Sequence, residues 1–294
     1  MVAMMIIFFM ILLNGQSNPR ISDTSSSTTS SSSSSAFVLT AVGWLSTECY
    51  SVVPSGSTFI RSTTCNSTGL SILPLATVPQ STSNLIVATD FLWPPQDSFY
   101  ASMTLPSLPA QPTQNFILKS IVGITSHYST GQIVAAGWIG TTVSLTQIAV
   151  PPGQPTQWTW LAQSIVYDAS SKRYTASVGI TTNPNDVVST SVSWTGSTWV
   201  ATTGITSSGQ TNVISVTGLT EWAMPASGSV PDVMSFVVGE SGSPSSCAQY
   251  PSSSMVWSGI SPPTGNTPRT IPTTIGCNEQ VEIISPTSVR LTFR

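Results

Sequence analysis

From residue 37 onward the chain is a succession of short runs rich in Val, Ile, Thr, Leu and Trp, cut at close intervals by Gly, Pro, Ser and Asn. No run sustains a 3.6-residue apolar period, so helices have nothing to build on, whereas β-branched and aromatic residues suit a pleated surface. Strands are expected over residues 37–44, 85–92, 115–125, 132–139, 158–167, 174–181, 187–194, 199–205, 211–217, 233–238, 279–284 and 288–293. Val188, Thr190, Val192 and Trp194 alternate with Ser-rich positions, the pattern of a strand with one wet face. Turns are legible at Thr195-Gly196, Ser208-Gly209, residues 168–172 and Pro286. Consecutive hairpins at roughly 10-residue spacing imply an all-β antiparallel sandwich of jelly-roll type over residues 36–294. The Pro-rich stretch 93–112 is expected to be a loop within that one system.

Charge narrows the function. Charged residues are 6% of the chain, against about 25% in ordinary soluble domains. Ser and Thr take over the solvation of the surface, and ion pairs cannot be what holds the fold. A formal charge of -3 offers no basic footprint and excludes nucleic acid as a partner.

Residues 1–13 form an uninterrupted apolar run, shorter than the ~20 residues that cross a bilayer. It reads as the apolar region of a signal peptide, with small residues at Gly15-Gln16-Ser17 for cleavage and no membrane span in the mature chain. Residues 18–35 are expected to be a linker, Ser and Thr throughout 24–35, unable to bury a core and suited to O-glycosylation. The four cysteines, Cys49, Cys65, Cys247 and Cys277, lack metal-type spacing. Three pairings are possible; Cys49–Cys65 and Cys247–Cys277 each close a local loop and are preferred. Asn66-Ser67-Thr68 is a glycosylation sequon.

Residue types that carry chemistry are scarce. His127 is the one histidine, in a polar segment, and reads as a surface residue. No G-x-S-x-G elbow exists, and no metal or cofactor site can be assembled from these ligands. The 11 carboxylates are scattered. Glu279 and Glu282 are three apart and would face opposite sides of a strand, which does not suit the paired carboxyls of a glycosidase. Among nine tryptophans, Trp158 and Trp160 share a strand face and could form a sugar-stacking platform or pack in the core, while Trp194 and Trp199 would meet across their turn.

Four pieces resemble, in order, the concanavalin A-like β-sandwich family that includes the glutamic peptidases (eqolisins) and lectin-like relatives. They are Gln132-Ile-Val-Ala-Ala-Gly-Trp138, Gln157-Trp-Thr-Trp160, Pro184-Asn-Asp-Val-Val-Ser-Thr-Ser-Val192 and Thr220-Glu-Trp-Ala-Met224. In the third, Asn185 stands where the family has Gly. The likeness is densest over residues 105–240. The resemblance implies a Gln on one strand to hold an oxyanion and a Glu on a neighbour as general base. Ala135 and Pro225 occupy those two places, and neither can supply the chemistry. Glu221 is on the side of Pro225 but about 13 Å along the strand.

These observations imply an extracellular, non-enzymatic binding protein with a glycan or cell-wall polysaccharide as ligand and Trp158 and Trp160 as contacts. The alternatives are a diverged glutamic endopeptidase using Glu221 and a structural surface or cell-wall protein. Export can be checked by N-terminal sequencing of secreted protein: the mature chain should begin near Ser17, and material still starting at Met1 would contradict it.

Overall fold

The computed structural model describes residues 37–40, 43–46, 49–60, 65, 85–92, 98–112, 116–129, 132–148, 154–168, 171–218, 233–241, 246–261, 269–272 and 280–292. The chain divides between residues 34 and 35, and every described strand belongs to the second unit, 35–294. The signal and linker segments expected over 1–35, Asn66, Glu221 and Pro225 lie outside the described residues.

The fold is a β-sandwich. One sheet has nine strands: β17 (Arg269–Pro272), β5 (Leu85–Leu92), β15 (Val233–Ser241), β7 (Phe116–Ser129), β8 (Gln132–Ile148), β9 (Gln157–Asp168), β10 (Arg173–Ser177) and β3 (Tyr50–Val53) in that order, with β11 (Ile180–Thr182) beside β9. The other has eight: β18 (Gln280–Ser285), β19 (Ser288–Thr292), β16 (Met255–Ser261), β6 (Ser98–Thr104), β12 (Val187–Trp194), β13 (Thr198–Ile205), β14 (Thr211–Thr217) and β4 (Ser57–Ile60). β1 (Phe37–Thr40) and β2 (Gly43–Ser46) form a separate two-stranded hairpin where one strand was expected. A 3-10 turn at Cys247–Gln249 is the only helical element among the described residues.

Pairing is antiparallel except at one side of the sandwich, where β3 runs parallel to β10 and β4 parallel to β14. A turn through Gly56, at φ +84°, carries the chain from β3 in one sheet to β4 in the other. The antiparallel reading is therefore corrected at these two edges, which close by crossover. Val187–Trp194 and Trp199 pair as the hairpin reading expects, Trp194 opposite Trp199 with ring centroids 5.3 Å apart. Gly196 and Gly209 supply the positive φ that the two turns need. Asn185 holds a left-handed φ of +67°, a conformation asparagine tolerates, at the position where the resembling family has Gly.

The Pro-rich stretch is not simply a loop. β6 lies inside it and occupies the middle of the eight-stranded sheet, between β16 and β12. Its prolines flank the strand, while Phe99, Ala101, Met103 and Leu105 alternate inward. The segment 174–181 is two strands, because the chain breaks at Val178, whose N–H donates to Val53 O. A side chain at Gly179 would collide with Leu161.

Between the sheets lies an apolar layer that includes Val143, Leu145, Trp160, Val166, Val188, Trp199, Ile214, Met255 and Trp257. Each such side chain, fully buried, contributes roughly 1.5–3 kcal/mol. A polar seam crosses this layer. Thr141 Oγ1 and Thr203 Oγ1 are 2.7 Å apart, Thr203 Oγ1 and Ser164 Oγ 2.8 Å, and Ser164 donates to Asn212 O at 3.0 Å. A hydroxyl has one proton, and Ser164 gives its own to Asn212. Thr203 must therefore donate to Ser164, and Thr141 to Thr203. Asn212 Nδ2 continues the run by donating to Val178 O. All four side chains are buried.

Cys49 and Cys65 are joined, as the local pairing anticipates. Cys247 is also disulfide-bonded; its expected partner Cys277 lies outside the described residues.

Two outcomes follow. Thr203→Val strands the Thr141 donor in the core and should cost about 1–3 kcal/mol. Thr202→Val, on the outer side of the same strand, should stay within about 0.5 kcal/mol. Urea unfolding of both variants checks the contrast. Opening the Cys49–Cys65 loop, whose ends are separated by 16 in sequence, by Cys49→Ala with Cys65→Ala should cost about 3 kcal/mol by the same assay.

Candidate functional site

The outer face of the nine-stranded sheet is where β8 and β9 bring the resembling motifs together. Their register runs from Gly137 opposite Asp168 to Ile148 opposite Gln157. Directly opposed residues share a face. This places Trp138 with Tyr167, Gly140 with Ile165 and Thr142 with Gln163. β10 adds Tyr174 beside Tyr167, and β3 adds Tyr50 beside Tyr174. An aromatic row thus crosses four strands. Tyr167 and Tyr174 stack at 4.4 Å, and Trp138 meets them at 6.4 and 6.3 Å.

This row is buried, with Trp138, Tyr167 and Tyr174 all at 6% exposure or less. Burial raises the Tyr50 hydroxyl above its ordinary value of 10, against a hydrogen bond with Gln163 that lowers it. Burial also raises Tyr167, and the Asp168 carboxylate adds to the effect.

Gln163 is the one side-chain amide in this cluster. Its Nε2 donates one of its two N–H groups to Ser177 O at 2.8 Å, which ties the amide to the sheet. Its Oε1 and the Thr142 Oγ1 have no hydrogen-bond partner. An amide oxygen and a hydroxyl can orient a ligand, but neither is a general base at neutral or acid pH.

The carboxylates of Asp168, Asp186 and Glu282 are occupied elsewhere. Asp168 Oδ2 accepts from Ser171 Oγ at 2.6 Å, Asp186 Oδ2 from the Asn183 N–H at 2.7 Å, and Glu282 pairs with Arg290 at 2.9 Å. Ala135 pairs with Thr125 at an irregularity between β7 and β8, and His127 is the register partner of Val134. The described residues hold no group of three metal-ligating side chains.

The expected Trp158–Trp160 platform is corrected. Trp160 is fully buried in the layer between the sheets, its Nε1 donating to Pro106 O at 3.1 Å. Trp158 is half-buried and packs against the same core. Even spacing did put both on one face, but that face is the inner one. Sequence reasoning missed Gln163, Tyr167 and Tyr174. The turn at 168–172, which fixes Tyr167 opposite Tyr174, was the available signal.

Comparison with solved structures supplies further findings. The chain is similar to glutamic peptidases. Scytalido-glutamic peptidase with a transition state analog inhibitor matches with a TM-score of 0.45 and 13% identity over 72% of this chain and 98% of that one. The same peptidase with a peptide-based transition state analog gives 0.44 and 14% over 71% and 98%. SCP-B, a member of the eqolisin family of peptidases in complex with the tripeptide Ala-Ile-His, gives 0.39 and 15% over 71% and 98%. No family model and no curated protein matches the chain.

Because Tyr50 and Tyr167 are held above their ordinary value, the folded chain keeps protons that the unfolded chain loses. Their contribution to stability is complete below pH of about 10 and falls as pH rises through the folded values. Urea midpoints measured across the alkaline range should decline, and Tyr50→Phe with Tyr167→Phe should flatten that decline.

Proposed function

We propose that this chain is a secreted, non-enzymatic binding protein whose ligand is a neutral carbohydrate. The observation that carries the non-enzymatic part is at the strand position where the resembling peptidases need a Gln. Ala135 stands there in β8, and an alanine methyl can neither donate nor accept a hydrogen bond. Removing a single oxyanion donor costs an acyl-transfer enzyme about 10²–10³ in rate. Here the expected place of the general base, Pro225, is changed as well.

Carbohydrate is supported by chemistry rather than by a motif. A sugar presents hydroxyls and C–H faces without charge. It is matched by hydroxyl side chains and aromatic rings, and a charged protein surface would have to be desolvated to meet it. A chain with 6% charged residues, abundant Ser and Thr, and 8% aromatics is suited to that partner. Export fits the Cys49–Cys65 disulfide, since such bonds persist in oxidising compartments.

Two assays test this reading together. Purified protein should leave an unfolded protein substrate intact at acid pH, and it should be retained by at least one neutral glycan on an array. Cleavage that is abolished by Glu221→Gln would establish the peptidase alternative instead. Absence of glycan retention without cleavage would favour a purely structural role.

A further inference from the structure

The outer face of the eight-stranded sheet is open and carries a pattern of its own. Along β6 the outward residues are Ser98, Tyr100, Ser102 and Thr104; along β12 they include Ser189, Ser191 and Ser193. Register sets Ser102 opposite Ser189, Tyr100 opposite Ser191 and Ser98 opposite Ser193. On the other flank β16 brings Ser258 opposite Ser102 and Ser261 opposite Tyr100. Tyr100 therefore stands in a field of serines drawn from three adjacent strands.

The Tyr100 ring does not stand up from this face. Its hydroxyl is 2.8 Å from Ser102 Oγ, two residues along the same strand. Those two positions are about 6.8 Å apart, roughly the reach of a tyrosine side chain, so the ring must lean along the sheet to make the contact. Gly259 lies beside it: a Cβ there would be 3.5 Å from the ring's Cε1. At φ +59° in an irregular stretch of β16, that position disfavours any side chain. The ring is held down by Ser102, fits beside a residue with no side chain, and remains 41% exposed.

Electrostatics select the partner. No Asp, Glu, Lys or Arg occurs within β4, β6, β12, β13, β14 or β16. The ion pair Arg290–Glu282 lies beyond them, on β18 and β19, and is internally neutral. Along these described strands an anionic or cationic partner finds no formal charge to pair with. A neutral sugar finds an aromatic face to stack on and hydroxyls around it to exchange hydrogen bonds with.

We propose that Tyr100, with Ser102, Ser191 and Ser258 around it, is the stacking platform for a neutral polysaccharide on the outer face of the eight-stranded sheet. The assignment rests on the carbohydrate reading above and places the contact on the sheet opposite to the one that carries Ala135.

Retention on microcrystalline cellulose, chitin and a neutral β-1,3-glucan tests it, each with the full mature chain. On whichever of these holds the wild type, Tyr100→Ala should weaken retention by about 5- to 100-fold, as loss of one stacked ring does elsewhere. Ser191→Asp, an exposed change that puts a charge beside the ring, should weaken it comparably. Trp158→Ala should leave it within about twofold once unfolding midpoints show the variants to be folded. If the wild type is retained and both Tyr100→Ala and Ser191→Asp hold as well, the platform is overturned while the carbohydrate reading stands. If the wild type is retained by none of the three, both fail. If the wild type sediments as a dimer that Ser191→Asp dissociates, the face pairs with a second copy and the glycan assignment is overturned.

Discussion

The two sheets meet through one layer, and the hydroxyl run from Thr141 through Thr203 and Ser164 to Asn212 is what fixes how they meet. Apolar contacts favour burial without choosing an alignment, whereas each of these groups is satisfied only when its partner on the opposite sheet is in place. Thr141 and Ser164 belong to β8 and β9, Thr203 and Asn212 to β13 and β14, so the run pins adjacent strand pairs of the two sheets to each other. Trp160, Trp199 and Trp257 then pack around a register already set. In a chain with so few charges, no network of ion pairs could do this work, and hydroxyls are the polar groups at hand.

Much of this was legible in sequence because strand alternation has one period. Val188, Thr190, Val192 and Trp194 announce an inner face, and Gly196 announces the turn that returns the chain to Trp199. Leu85–Leu92, Val187–Trp194 and Thr211–Thr217 stand where their composition puts them. What could not be read was which side of a strand is inside. Trp158 and Trp160 were correctly placed on a common face, but alternation alone does not say whether that face meets solvent or the other sheet. Pro94, Pro95 and Pro106 concealed β6, because proline removes a strand only where it lies within the ladder, and these flank it. β3 and β4 are four residues each and pair in parallel with strands more than 100 residues away, a contact with no local signature.

The same alternation connects fold and proposed function. Positions that send Phe99, Ala101 and Met103 inward send Tyr100 and the serines of β6 outward. On the other sheet the outer face has gone a different way: it buries an aromatic row, and Gln163 Nε2 donates to the backbone at Ser177 O. The sandwich thus buries an aromatic row on one outer face, and on the other exposes Tyr100 among serines on strands that carry no charged residue. Recognition by the open face would owe nothing to Coulomb attraction.

That consequence admits a direct measurement: retention on the neutral polysaccharide that binds best, followed from low salt to about 1 M, where charges are screened beyond a few ångströms. Affinity that stays constant or strengthens with salt is the expected result, since stacking and hydroxyl contacts release no counterions. A steep, progressive loss of retention as salt rises would contradict it and locate binding on charged residues instead.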